Sequence, residues 1–91
     1  MKLTRHVTVH GRVQGVNFRE AMRTQAQRLG VTGWVRNCAS GTVEAMVHGA
    51  PASVERMLEW VQRGPPAARV TRVDVDQAEG EFASFERLPS V

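Results

Sequence analysis

The segment Gly11-Arg12-Val13-Gln14-Gly15-Val16-Asn17-Phe18-Arg19 sets two glycines and an arginine between a strand-like run and a helix-like run. The chemistry open to such a junction is anion binding. The first N–H groups of a helix have no partner inside it. Its aligned peptide dipoles place partial positive charge at the same end. A loop whose amides converge there takes phosphate readily. Gly15 permits close approach of the backbone and conformations closed to other residues. Arg19, in the first helical turn, can add a charge-assisted fork. The spacing is neither G-x-x-x-x-G-K-[ST] nor G-x-G-x-x-G, so it marks neither a Walker loop nor a dinucleotide fold. A strand–glycine–helix junction is on general grounds more often a plain turn, and by itself this segment leaves both readings open.

The elements around it must hold the loop. Leu3 to His10 reads as a strand, with Val7 and Val9 alternating with Thr8 and His10. Gly11 and Gly15 break that pattern. Phe18 to Leu29 reads as a helix: Phe18, Met22, Ala26 and Leu29 form one stripe, with Ala21 beside them. Gly30 stands at the expected C-terminal glycine position. Val31 to Cys38 and Thr42 to His48 read as strands joined at Ala39-Ser40-Gly41, a hairpin signal. In the third strand Val43, Ala45 and Val47 share one face, and Thr42, Glu44, Met46 and His48 the other. A second helix follows Pro51-Ala52-Ser53. Ser53 is a candidate N-cap, and Pro51 opens an earlier start. Val54, Met57, Leu58 and Val61 give its apolar stripe, and Gly64-Pro65-Pro66 ends it. Val70 to Val75 is a fourth strand, with Val73 and Val75 on one face. After a turn at Glu79-Gly80-Glu81, Phe82 to Leu88 reads as a short last strand.

The resulting order, β-α-β-β-α-β with a short extra strand, is that of an α+β, ferredoxin-like two-layer sandwich. Its antiparallel sheet carries two helices on one face, and each layer supplies one apolar surface. The other face is expected to be solvated, carrying His6, Thr8, His10, Glu44 and His48. With 91 residues and neither linker nor repeat, one domain spanning 1–91 is expected.

Composition narrows the chemistry. Cys38 is the only cysteine, so neither an internal disulfide nor a cysteine metal cluster can form. The three histidines share the polar face, but sequence places no acidic or cysteine ligand with them, so no metal site is expected. The net charge of +3 is mild, and Lys2 is the only lysine among 12 Lys and Arg residues. Arginine is the better fork for phosphate oxygens, although such a bias also follows from genomic base composition. The excess suits a small anion at least as well as nucleic acid. No apolar run nears the roughly 20 residues of a membrane span, and the N-terminus lacks a signal-peptide core. A cytoplasmic location is expected. Cys38 and Trp34 read as packing residues, Trp60 as partly buried beside its helix stripe, and Glu44 as a structural carboxylate paired with an arginine.

Two blocks resemble the acylphosphatase family. Gly11 to Arg19 is similar to its G-x-V-Q-G-V-x-F-R signature. Gly33-Trp34-Val35-Arg36-Asn37, followed by Gly41-Thr42-Val43-Glu44, is similar to its G-W-V-x-N…G-x-V-E block. The resemblance runs from about His6 to Leu88. It implies metal-independent hydrolysis of acyl phosphates to a carboxylate and inorganic phosphate, with no cofactor. It implies Arg19 and Asn37 as the catalytic pair, Asn37 orienting the attacking water. It also implies a phosphoryl-binding set of Gln14, Gly15, Val16, Asn17, Phe18 and Arg19. Two departures stand out. Asn17 lies where the family often has an aromatic residue or glycine, yet asparagine tolerates positive φ. Cys38-Ala39-Ser40-Gly41 lacks the common Asp-Gly turn, yet Ser-Gly also turns. Neither removes a catalytic group.

Two rivals share the fold. An RNA-binding module would stack bases on aromatics of its central strands, and here the first and third strands have none. A repurposed domain of a larger carbamoyl-transferring maturation protein is disfavoured by the chain length and by the presence of both Arg19 and Asn37. The expected partner is therefore a small acyl phosphate, with neither nucleic acid nor membrane, acting on a monomer.

Overall fold

The computed structural model describes all residues, 1–91. Valine alternation builds the first strand, β1 (Leu3–Arg12), in which Val7 and Val9 are wholly buried. Gly11 does not end this strand as expected. The register against β4 (Arg69–Gln77) shifts between His10 and Gly11, where Gly11 has φ 122°. A Cβ there would lie 2.1 Å from the Arg69 carbonyl oxygen, so the bulge needs glycine. The bulge carries the chain two residues further toward the loop.

Helix α1 spans Phe18–Leu29, as its stripe predicts. It starts from Asn17 in the left-handed region (φ 65°, ψ 27°) and ends at Gly30 in the same region. Hairpin strands β2 (Thr32–Asn37) and β3 (Val43–Gly49) follow, then helix α2 (Pro51–Arg63). The α2 N-cap is Ala50, not Ser53. Proline at the first helical position supplies a preset φ and gives up an N–H that would have had no partner.

With the last strand, β5, at Phe85–Arg87, the sheet order is β4-β1-β3-β2-β5. The four longer strands pair antiparallel, as expected. The last strand departs from expectation twice. It is confined to β5 (Phe85–Arg87), and it pairs parallel to β2. The sheet is therefore mixed. The crossover before β5 keeps residues 82–84 out of the ladder, and Gly33 N–H reaches the Ser84 carbonyl instead.

Phe18, Met22 and Ala26 of α1 and Val54, Met57 and Val61 of α2 pack with the strand valines into one cluster. Burying each large side chain stabilises by roughly 1.5–3 kcal/mol. Trp60 is half-buried and meets Phe18 edge-on at 5.6 Å between centroids. Val73 packs on the core, but Val75 on the edge strand is 41% exposed. No helix is long and apolar enough to cross a membrane.

The opposite face is not simply solvated. His6 meets Glu44 at 2.6 Å, His10 meets Asp74 at 2.9 Å, and His48 meets the Thr4 hydroxyl at 2.6 Å. Acidic groups thus do stand beside the histidines, contrary to the sequence expectation, because β4 and β3 flank β1. His6 also has Asp76 at 3.9 Å, and arginines neutralise Glu44 and Asp74, but no group of three or more ligand side chains that could hold a metal converges.

Candidate active site

Loop 13–17 is pinned from below and from the side. Val13 and Val16 are buried, and their packing fixes the height of the loop on the sheet. The Gln14 side-chain amide donates to the Cys38 and Thr42 carbonyls, each at 2.8 Å. These two hydrogen bonds tie the loop to the β2–β3 turn, one residue beyond Asn37. Gly15 (φ 72°) and Asn17 (φ 65°) both take left-handed conformations. These reverse the chain tightly enough for α1 to start at once. The Asn17 carbonyl already accepts the Ala21 N–H at 3.1 Å.

A cavity of about 240 Å³ opens where these parts meet. Val13, Gly15, Asn17, Phe18, Arg19 and Glu20 line it from the loop and the first turn of α1, Asn37 from the end of β2 and Arg87 from β5. The Arg19 guanidinium donates one hydrogen bond, from Nη1 to the Leu88 carbonyl at 3.0 Å. That contact steadies the side chain while its remaining donors can serve an anion. Asn37 is held through its backbone. It pairs with Val43 across the hairpin, and its carbonyl accepts the Val91 N–H at 3.0 Å.

Behind Asn37, on the other sheet face, Glu44 braces the hairpin. Its Oε1 takes Nε and Nη2 of Arg36, both at 2.7 Å, and its Oε2 meets His6. Arg36 also lies over the Trp34 ring, 4.9 Å from its centroid. Cys38 is half-buried, its thiol 3.7 Å from Glu44. The hydrogen bond from His6, and then those from Arg36, hold the Glu44 carboxyl below its ordinary 4.5. A depressed carboxylate pKa adds stability that is complete above the unfolded value and lost as pH falls through the folded one. Glu44→Gln should therefore cost about 1–2 kcal/mol at neutral pH, and less near pH 3. Denaturant titrations of both proteins at the two pH values measure this. An equal gap at both would show that Glu44 acts through shape and not charge.

The family model described as Acylphosphatase matches residues 5–87. This chain belongs to the acylphosphatase family. An acylphosphatase of Thiobacillus denitrificans is 52% identical over 84 residues, covering 92% of this chain and 94% of that protein. One from Acidovorax sp. is 54% identical over 90 residues, covering 98% and 93%. The structure of an acylphosphatase from Coxiella burnetii superposes with a TM-score of 0.92 at 39% identity, covering 96% of this chain and 93% of that one. The activity is accordingly that of an acylphosphatase, a hydrolase acting on small acyl phosphates.

Within this acylphosphatase, Gly15, Asn17, Phe18, Arg19 and Asn37 come together around one cavity. Gln14 and Val16 do not line it: one clamps the hairpin and the other packs into the core. Val13, Glu20 and Arg87 also line the cavity, outside the site set expected from sequence. The Glu20–Arg23 spacing is an ordinary helical ion pair, readable as such. Arg87 reaches the cavity only because β5 pairs with β2, placing it beside Val35.

Proposed function

We propose that the 240 Å³ cavity holds the phosphoryl group of an acyl phosphate and that hydrolysis proceeds there without metal. The observation that carries this reading is the meeting of Gly15, Asn17, Phe18 and Arg19 from the loop and helix start with Asn37 from β2 around one small space. Arg19 and the amides bind the phosphoryl oxygens, where charge is spread in the transition state. Fixed donors of this kind stabilise that charge without reorganising. The Asn37 side-chain oxygen accepts a hydrogen bond from water and aims it at phosphorus, in line with the acyl oxygen. The new P–O bond forms as the bond to the acyl oxygen breaks. The acyl group leaves as a carboxylate, and the water proton passes to the phosphate or to solvent. A carboxylate is a stable leaving group, so no strong general acid is required. What the protein supplies is position and charge.

The proposal includes a single domain over 1–91, supported by the one cluster that the buried residues form, and a monomeric state. A cytoplasmic setting belongs to the same proposal. The test is hydrolysis of benzoyl phosphate in the presence of a chelator, with inorganic phosphate added as a competitor. Turnover should persist, and phosphate should raise KM while leaving kcat unchanged. Indifference to phosphate would move the phosphoryl end out of this cavity.

A further inference from the structure

The phosphate cavity adjoins a second, wider groove of about 510 Å³. Glu20 and Arg87 belong to both spaces, and Arg23, Phe85, Glu86 and Leu88 line the groove beyond them. The lining thus offers two guanidinium groups and two carboxylates beside Phe85 and Leu88, and both arginines turn to Glu20.

The carboxylate is not shared evenly. Arg23 forks onto Glu20, with Nε to Oε1 at 3.2 Å and Nη2 to Oε2 at 2.7 Å. Arg87 reaches only Oε1, at 3.5 Å, and its side chain is 45% exposed. The carboxyl of Glu20 is held below its ordinary value first by the Arg23 hydrogen bond, so Glu20 keeps a partner when Arg87 turns away. Arg87 is the loosely held cation, and it stands at the mouth between the two spaces.

Direction follows from the proposed chemistry, on which this inference rests. In-line attack puts the leaving acyl oxygen on the side of phosphorus opposite the water. Asn37 lines the phosphate cavity and not the groove. The acyl group therefore points away from Asn37, past Glu20 and Arg87. We infer that the groove is the acyl subsite, that Arg87 is its specificity-determining residue, and that it favours acyl phosphates bearing a second carboxylate at the far end of the acyl group. Phe85 and Leu88 meet the carbon skeleton, and the distal carboxylate takes Arg87 from Glu20.

Benzoyl phosphate and 4-carboxybenzoyl phosphate differ only by that group, and the rigid ring prevents it from attacking its own anhydride. The wild-type protein should show kcat/KM about fivefold higher for the carboxylated compound, the worth of a partly exposed ion pair. Arg87→Gln should bring the ratio to about one, and Arg87→Lys should retain part of it. The wild-type ratio should also fall near 1 M salt, where the screening length is about 3 Å. A wild-type ratio of one with normal benzoyl phosphate turnover overturns the subsite and leaves the proposed hydrolysis standing. Persistence of the ratio in Arg87→Gln removes Arg87 from the role. Failure to hydrolyse either compound overturns the site reading itself.

Discussion

Arg19→Ala should lower kcat/KM for benzoyl phosphate by about a thousandfold, an effect of roughly 4 kcal/mol on the barrier. The guanidinium lines the cavity at the first turn of α1, where the helix dipole and the loop amides already favour an anion. It is the side-chain cation of that turn, and its Leu88 contact leaves donors for the phosphoryl oxygens. Removing it takes away both the charge and the fork. The structural cost should be small, because Arg19 makes a single hydrogen bond to the protein, worth about 1 kcal/mol. Arg19→Lys restores the charge but not the planar fork, and should recover only part of the loss. Steady-state kinetics with circular dichroism of each variant decide the matter. Near wild-type turnover in a folded Arg19→Ala protein would falsify the assignment of the phosphoryl site.

The residues that bear this mechanism were readable in sequence because local rules govern them. The α1 boundaries follow from an apolar stripe and a terminal glycine, and both depend on neighbours within a few residues. The left-handed Asn17 follows from the side chain's tolerance of positive φ. The hairpin follows from alternation around a Ser-Gly turn. Where the reading departs, a contact distant in sequence decides. Gly11 becomes a bulge and not a break because β4 lies beside it, where its register partner is the distant Val70. The last strand starts late because the preceding segment is held elsewhere, Gly80 by the Thr4 hydroxyl and Phe82 by the His48 ring, before the chain turns to pair with β2. The histidines gain carboxylate partners because strand order brings Asp74 and Glu44 to either side of β1.

The same division runs through the site. Arg19 and the loop are local features, and a sequence shows them. That Asn37 faces the same cavity is a property of sheet register, and it entered the reading only through resemblance to a family. Gln14 shows why the loop alone would not suffice. Its side chain lies outside the cavity lining, and its two bonds to Cys38 and Thr42 fix the distance between loop 13–17 and the strand end that holds Asn37. Arg87 has no local signal at all, since a lone arginine near a chain end is ordinarily a surface residue.

Asn37→Ala should show a different kinetic pattern from Arg19→Ala, and the difference tests the division of labour between them. If Asn37 positions water and Arg19 grips phosphate, losing Asn37 should lower kcat by about a hundredfold, the order expected when a reacting group is misplaced by about 1 Å. KM and inhibition by inorganic phosphate should stay near wild type, because the loop amides and Arg19 remain. The fold should hold, since the structural bonds of Asn37 run through its backbone, to Val43 across the hairpin and to the Val91 N–H. Asn37→Asp sharpens the test. It keeps the shape and an acceptor for water, but sets a negative charge against the phosphoryl group, so KM should rise along with the fall in kcat. Equal losses in KM and kcat for the alanine variant would mean that Asn37 binds the phosphoryl group directly. The water would then need another holder, and no other neutral polar side chain except Asn17 lines the cavity.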